Sequence, residues 1–381
     1  MRPKRWEVAF TLLLTLGLWV LPGAAQERVR PSALAGSWYP SDPQELARRV
    51  DGLLEGAEAP APRASIRALV VPHAGYSYSG RTAAAAFGLV RGQSFQRVLV
   101  LAPSHHGDFH GLSIADVDAY VTPLGQVPLD REAVARLRQS PLVGTDPWAH
   151  GREHAIEIEL PFLQRALAPG WGLVPILVGR LGPADYPAAA ELLRPLSDEG
   201  TLVVVSSDFT HYGARFGFQP FPPDAHTAER IRDLDQGAIE HVLSRDGPGL
   251  LDYQTRTGIT ICGYRPLALL LHLLPADARV ERVAYATSGE LTGDWRSSVS
   301  YVALAVTWSA ARSATPSDLA KETVQGVLNA SDLERLNGVA ALGVKAAVLG
   351  QSEALDRAGP GPDPDSLQGM KGIMLPMGRA N

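Results

Sequence analysis

The chain has 381 residues, of which 45% are apolar and 20% charged, with a formal net charge of −5. That composition suits a globular protein able to bury one large core, and it excludes a disordered or fibrous chain. No Lys/Arg-rich run follows the first few residues, so the chain has no cationic field for a phosphate backbone and no nucleic-acid partner is expected.

The N-terminus sets a basic stretch, Arg2 to Arg5, before an apolar one, Ala9 to Leu21, with the small residues Gly23, Ala24 and Ala25 ahead of Gln26. This pattern predicts a secretory signal over residues 1–25, cleaved after Ala25. The apolar stretch is shorter than the roughly 20 residues of a spanning helix. The expected product is therefore exported, periplasmic or extracellular, with no integral membrane segment. Cys262 is the only cysteine, which rules out an internal disulfide. A lone thiol in an oxidising compartment is either buried and inert or held by a ligand such as a metal.

From Ala64 to Tyr212, short aliphatic runs alternate with helical stretches, the pattern of an α/β protein with a mostly parallel central sheet flanked by helices on both faces. Three runs end in polar turns. Ile66 to Val71 leads into Pro72-His73-Ala74-Gly75, Val98 to Leu101 into the Ser104-His105-His106 turn, and Leu202 to Val205 into Ser206-Ser207-Asp208-Phe209-Thr210-His211. Gly172 to Val178 reads as a packing strand, and Val280 to Thr287 and Val299 to Trp308 as strands that close the sheet. Helices are predicted at 81–90, 131–139, 154–167, 187–194, 225–243 and 266–274. After Ala310 the composition shifts to Ala, Gly, Pro and Asp, so residues 311–381 read as a low-order tail or the remnant of a fused domain.

Ligands in open α/β sheets bind outside the carboxyl ends of the strands, so the three polar turns are expected to meet at one cleft. Imidazole suits Zn, Cu, Fe and Ni, and thiolate favours softer or redox-capable ions. His73, His105 and Cys262 are the candidate metal ligands, with iron or copper as the candidate ion. Cys262 precedes the apolar helix at 267–274, whose N-terminus is expected to lower the thiol pKa. Asp208 and His211 are candidate catalytic residues, the Asp orienting the imidazole as a general base.

Glu153 and His154 fit either a helix cap or a wall of the same cleft. His150-Gly151-Arg152-Glu153-His154 also satisfies H-x-x-E-H, the spacing of inverted zinc proteases, although Gly151 weakens the continuous helix that reading needs. Ser104, Ser206 and Ser207 lack the G-x-S-x-G elbow and read as turn formers. A cleft of this kind takes a small molecule or a peptide, and a non-catalytic scaffold binding a partner there would hold no stoichiometric metal.

Six ordered motifs resemble the Memo family, whose bacterial members are labelled AmmeMemoRadiSam system protein B: Gly36-Ser37-Trp38-Tyr39, Pro72-His73-Ala74-Gly75-Tyr76, Pro103-Ser104-His105-His106, Glu153-His154-Ala155-Ile156-Glu157, Ser206 to His211, and Ile261-Cys262-Gly263. The resemblance covers residues 31–308. It implies a fold similar to class III extradiol dioxygenases, metal ligands at His73, His105 and Cys262, and neighbouring pocket residues at Asp208 and His211. It also implies a thiolate where those oxygenases carry an acid, which argues against catechol ring opening. Asp318 to Val324 vaguely resembles the start of the AMMECR-type domain found in fused relatives.

Overall fold

The computed structural model describes residues 27–57 and 65–309. The predicted signal and the predicted tail lie outside the described residues. In chain order the strands are β1 (Val29–Arg30), β2 (Ile66–Val71), β3 (Arg97–Pro103), β4 (Leu112–Ser113), β5 (Ala119–Thr122), β6 (Gly125–Pro128), β7 (Val143–Gly144), β8 (Gly172–Val178), β9 (Thr201–Ser206), β10 (His211–Tyr212), β11 (Arg279–Thr287) and β12 (Ser298–Thr307). The helices are α1 (Pro43–Glu55), α2 (Tyr76–Phe87), α3 (Arg131–Leu137), α4 (Pro147–Gly151), α5 (His154–Glu157), α6 (Leu160–Ala166), α7 (Asp185–Leu193), α8 (Thr227–Leu243), α9 (Gly247–Thr257), α10 (Tyr264–Leu273) and α11 (Ser288–Thr292).

The main sheet runs β10-β12-β2-β9-β3-β8-β4-β7, with β11 paired to β12. Its centre, β2-β9-β3-β8, is parallel, as the unbroken Val/Leu/Ile runs predict. Its flanks are antiparallel, because β12 opposes β2, β10 and β11, and β4 opposes β8. The sheet as a whole is therefore mixed, with the predicted parallel centre. Every residue of β9 is buried whichever way its side chain points, so the sheet is covered on both faces. One helical group packs α1, α2 and α6 together, and another packs α7, α9 and α10. A smaller sheet, β1-β5-β6, is not hydrogen-bonded into the main one but packs on it, with Tyr120 and Val127 in the same core. No helix of the described residues is long and apolar enough to cross a membrane.

Four helices lie beyond the predicted set, the short α4 and α11 and the longer α1 and α9. In α1, Asp42 caps Glu45 N, Pro43 opens the first turn, and Leu46, Val50 and Leu54 are buried at helical spacing. In α9, Asp246 caps a first turn of Gly247, Pro248 and Gly249, and Gly258 closes it in the left-handed conformation, so a segment with loop-like composition is helical. The single helix predicted at 154–167 is instead two, α5 and α6, with Ile158 and Glu159 between them.

A buried ion pair sets where the chain turns before α5. Arg30 donates Nη1 to Glu157 Oε2 at 2.7 Å, Nε to the carbonyl of His150 at 2.8 Å and Nη2 to the carbonyl of Glu153 at 2.5 Å. The other Glu157 oxygen accepts from Tyr39 Oη at 2.6 Å, Ser32 Oγ at 2.7 Å and the Leu34 amide at 3.0 Å. Burial opposes ionisation of Glu157, but Tyr39, the Ala33 amide and Arg30 together hold its pKa below the ordinary carboxylate value. These contacts fasten residues 30–39 onto α5. Removing one charge leaves the other buried and unpaired, a loss of about 3–5 kcal/mol. Glu157→Gln is expected to lower the thermal midpoint by about 10 °C. Calorimetry of the full chain checks this, and an unchanged midpoint would show the pair to be dispensable.

Candidate metal centre

Strands β2, β9 and β3 are neighbours in the sheet, with Val71 opposite Ser206 and Leu101 opposite Val205. Because they run parallel, the residues that follow them emerge along one edge. His73, Asp208 and His105 are carried there together. The Ser207 amide donates to the carbonyl of Val71 at 2.8 Å, and the His73 amide donates to Asp208 Oδ1 at 2.8 Å, which ties the first two turns to one another.

His73, His105 and His154 each offer a ligand atom within 4.8 Å of the others. The His105 and His154 rings stack at 4.3 Å between centroids, while His73 meets them edge-on at 5.3 and 5.1 Å. His154 comes from the first turn of α5, and Trp38 lies against it at 4.7 Å. Of the two sequence readings for His154, cap or cleft wall, the structure selects the wall. The cap is Glu153, whose side chain accepts from the Ala155 amide.

Glu153 also commits two of the rings. Its Oε1 lies 2.8 Å from His105 Nδ1 and 3.3 Å from His154 Nδ1, and its Oε2 accepts from the His105 amide at 2.7 Å. Burial works against the carboxylate, but the hydrogen bonds and charge of His105 with the charge of His154 overcome it and hold the pKa down to about 2. An ionised carboxylate only accepts, so Nδ1 of His105 carries the proton and Nε2 is left with its lone pair. Burial lowers the pKa of His154 to about 4 and that of His73 well below the ordinary imidazole value, with neighbouring imidazoles adding to the effect. These two rings are neutral at neutral pH, the form that binds metal.

Cys262 joins the cluster through His73, its Sγ lying 3.0 Å from Nε2, and the Asp208 carbonyl at 3.4 Å is the alternative acceptor for its one S–H hydrogen. Its loop is held against the β9 end by close packing at Gly263, whose amide donates to Ser207 Oγ at 3.1 Å. A Cβ at residue 263 would fall 2.3 Å from Ser207 Cβ, so only glycine fits. The expectation that the α10 N-terminus lowers the thiol pKa is not met. Desolvation and the nearby charge of Asp208 push it well above the usual thiol value.

Asp208 and His211 both line the cleft but are not paired as the sequence suggested. Asp208 points at the backbone of His73, and burial raises its pKa to about 6. The His211 ring is oriented by backbone carbonyls, with Nδ1 2.9 Å from Phe209 O and 3.0 Å from Thr260 O. Nδ1 therefore donates and Nε2 remains an acceptor. The H-x-x-E-H reading fails because α4 ends at Gly151 and α5 starts at His154, while His150 is buried with Nε2 3.0 Å from Ser113 Oγ, outside the imidazole trio. Ser104 and Ser207 bond within their own turns, to Gly107 O and Asp208 O, both at 2.9 Å. The cleft encloses about 680 Å³, and Trp38, Tyr78, Phe216 and Tyr301 line it together with Arg215.

The family model described as "Memo-like protein" matches residues 30–305 of this chain. The memo-1 homolog of Caenorhabditis elegans is 35% identical over 253 residues, covering 64% of this chain and 71% of that protein. A MEMO1 family protein of Methanosarcina barkeri is 32% identical over 283 residues, 73% of this chain and 100% of its own length. The rat protein MEMO1 is 30% identical, with 73% and 97% covered. The motifs, the fold and these likenesses agree, and the chain belongs to the Memo-like family.

Proposed function

We propose that the cleft binds one first-row transition-metal ion, iron or copper, through His73, His105 and His154, with the Cys262 thiolate as an added soft donor. The observation that carries this reading is the trio of rings within mutual reach of one ion, with Nδ1 of His105 and His154 turned to Glu153. Imidazole alone suits several ions, and a thiolate beside it shifts the preference toward softer or redox-capable ones. When bound, such an ion supplies redox and Lewis-acid chemistry at the base of the cleft. Around it, Glu153 orients rings, Trp38 shields His154, and His211 offers a fixed acceptor nitrogen for a substrate proton. A small molecule or the tip of a peptide suits the volume of the cleft.

A redox-linked enzyme and a metal-handling protein both fit this arrangement, and His211 separates them. In His211→Ala both keep the ion. Oxidation of ascorbate by the metal-loaded protein falls at least tenfold if His211 serves as a base, and is unchanged if the cleft only carries metal.

The purified full chain is expected to take up about one equivalent of copper or iron by elemental analysis, with His73→Ala and His105→Ala abolishing it. Cys262→Ser should keep the ion but lose the thiolate-to-copper absorption band. An unchanged spectrum would count against thiolate ligation, and a metal-free wild type would favour the partner-binding scaffold. Because burial holds His154 near 4 and His73 low, protons compete for these rings only well below the ordinary imidazole pKa. Occupancy should persist at pH 5.5 in equilibrium dialysis, whereas a midpoint of about 6.5 would indicate ordinary solvated imidazoles.

A further inference from the structure

Glu159 lies between α5 and α6 and is 1% exposed, with Ser206 its one hydrogen-bond partner among the described residues. No arginine or lysine among the described residues pairs with it, unlike Glu157 two positions earlier. A carboxyl group kept in a dry interior with a single neutral partner is costly and calls for a role. Its position suggests one. Ser206 Oγ donates to Glu159 Oε1 at 3.0 Å and lies 2.8 Å from His73 Nδ1. A hydroxyl has one hydrogen. Once that hydrogen is given to Glu159, the serine oxygen can only accept from the ring, so Nδ1 of His73 carries the proton and Nε2 holds the lone pair. On the far side of the ring, Cys262 Sγ at 3.0 Å is placed to donate to that lone pair when no ion is present. Every bond in the chain Cys262, His73, Ser206, Glu159 then runs in one direction.

We propose that Glu159, acting through Ser206, is the positioning residue that fixes His73 in its Nδ1–H tautomer and presents Nε2 to the metal. The inference extends the metal-binding reading of the cleft and rests on it for the ion. Glu159 acts on His73 at one remove, as a buried acid that desolvation keeps neutral, whereas Glu153 acts on His105 directly as an anion. The ring on the β2 end and the ring on the β3 end are each held by a separate acid from the segment that contains α5.

The test uses the full chain with 15N-labelled histidine. In the metal-free wild type, side-chain NMR is expected to show His73 protonated at Nδ1 and bare at Nε2, a readout that needs no metal. Ser206→Ala should release this preference, and Glu159→Gln, which keeps the shape and an acceptor oxygen, should weaken it. Zinc(II), a redox-inert probe, is expected to bind each variant about 10–100-fold less tightly by calorimetric titration. The double variant should be no weaker than the weaker single one, because both act through one chain. His73 protonated at Nε2 in the wild type, unchanged tautomers in both variants, or losses that multiply in the double variant would each overturn the proposal. A wild type that shows the expected tautomer but takes up no zinc supports the role of Glu159 and refutes the metal reading instead.

Discussion

The site depends on the parallel hydrogen-bond ladder through β2, β9 and β3. These strands are buried on both faces, so their bodies admit aliphatic side chains and little else. Polar residues are admitted where the ladder stops. Because the three strands point the same way and sit side by side, they stop along a common edge, and His73, Asp208 and His105 follow within a few residues of it. The remaining parts are delivered to that edge from elsewhere: His154 by α5, Cys262 by the loop before α10, and Trp38 by the segment tied to Glu157.

Around one cluster of rings the protein drives two carboxyl groups in opposite directions. Glu153 is held to about 2, because the His105 ring and amide donate to it and the charges of His105 and His154 add to this, together outweighing burial. Asp208 is raised to about 6, because burial outweighs the His211 charge and the amides of His73 and Ala74. Cys262 is kept as a thiol by desolvation and by that same Asp208. The cleft thus combines neutral rings, one firm anion and one acid poised near neutrality, a division of roles characteristic of sites that bind cations and move protons.

Much of this was legible from residue order. The runs at 66–71 and 172–178 are strands with the predicted bounds, since an aliphatic run flanked by polar turns has few other ways to hide its side chains. His73 and His105 could be placed together because strand ends are fixed points of an α/β sheet. Two things could not be read. The break between α4 and α5 depends on Arg30, more than a hundred residues away, and no local pattern carries that information. Glu159 hides in the apolar stretch Ile158 to Leu163, where its only signal is an acid among Leu, Ile and Phe neighbours. Burial and the Asp208 charge oppose the Cys262 thiolate more strongly than backbone hydrogen bonds at the start of α10 favour it.

The tie between residues 30–39 and Glu157 spans 118 to 127 positions of chain. During synthesis the early segment has nothing to dock on until α5 has left the ribosome, so the wall formed by Trp38 and His154 closes late. Contacts of such long range slow folding, since the loop between them must be closed before they repay its entropy.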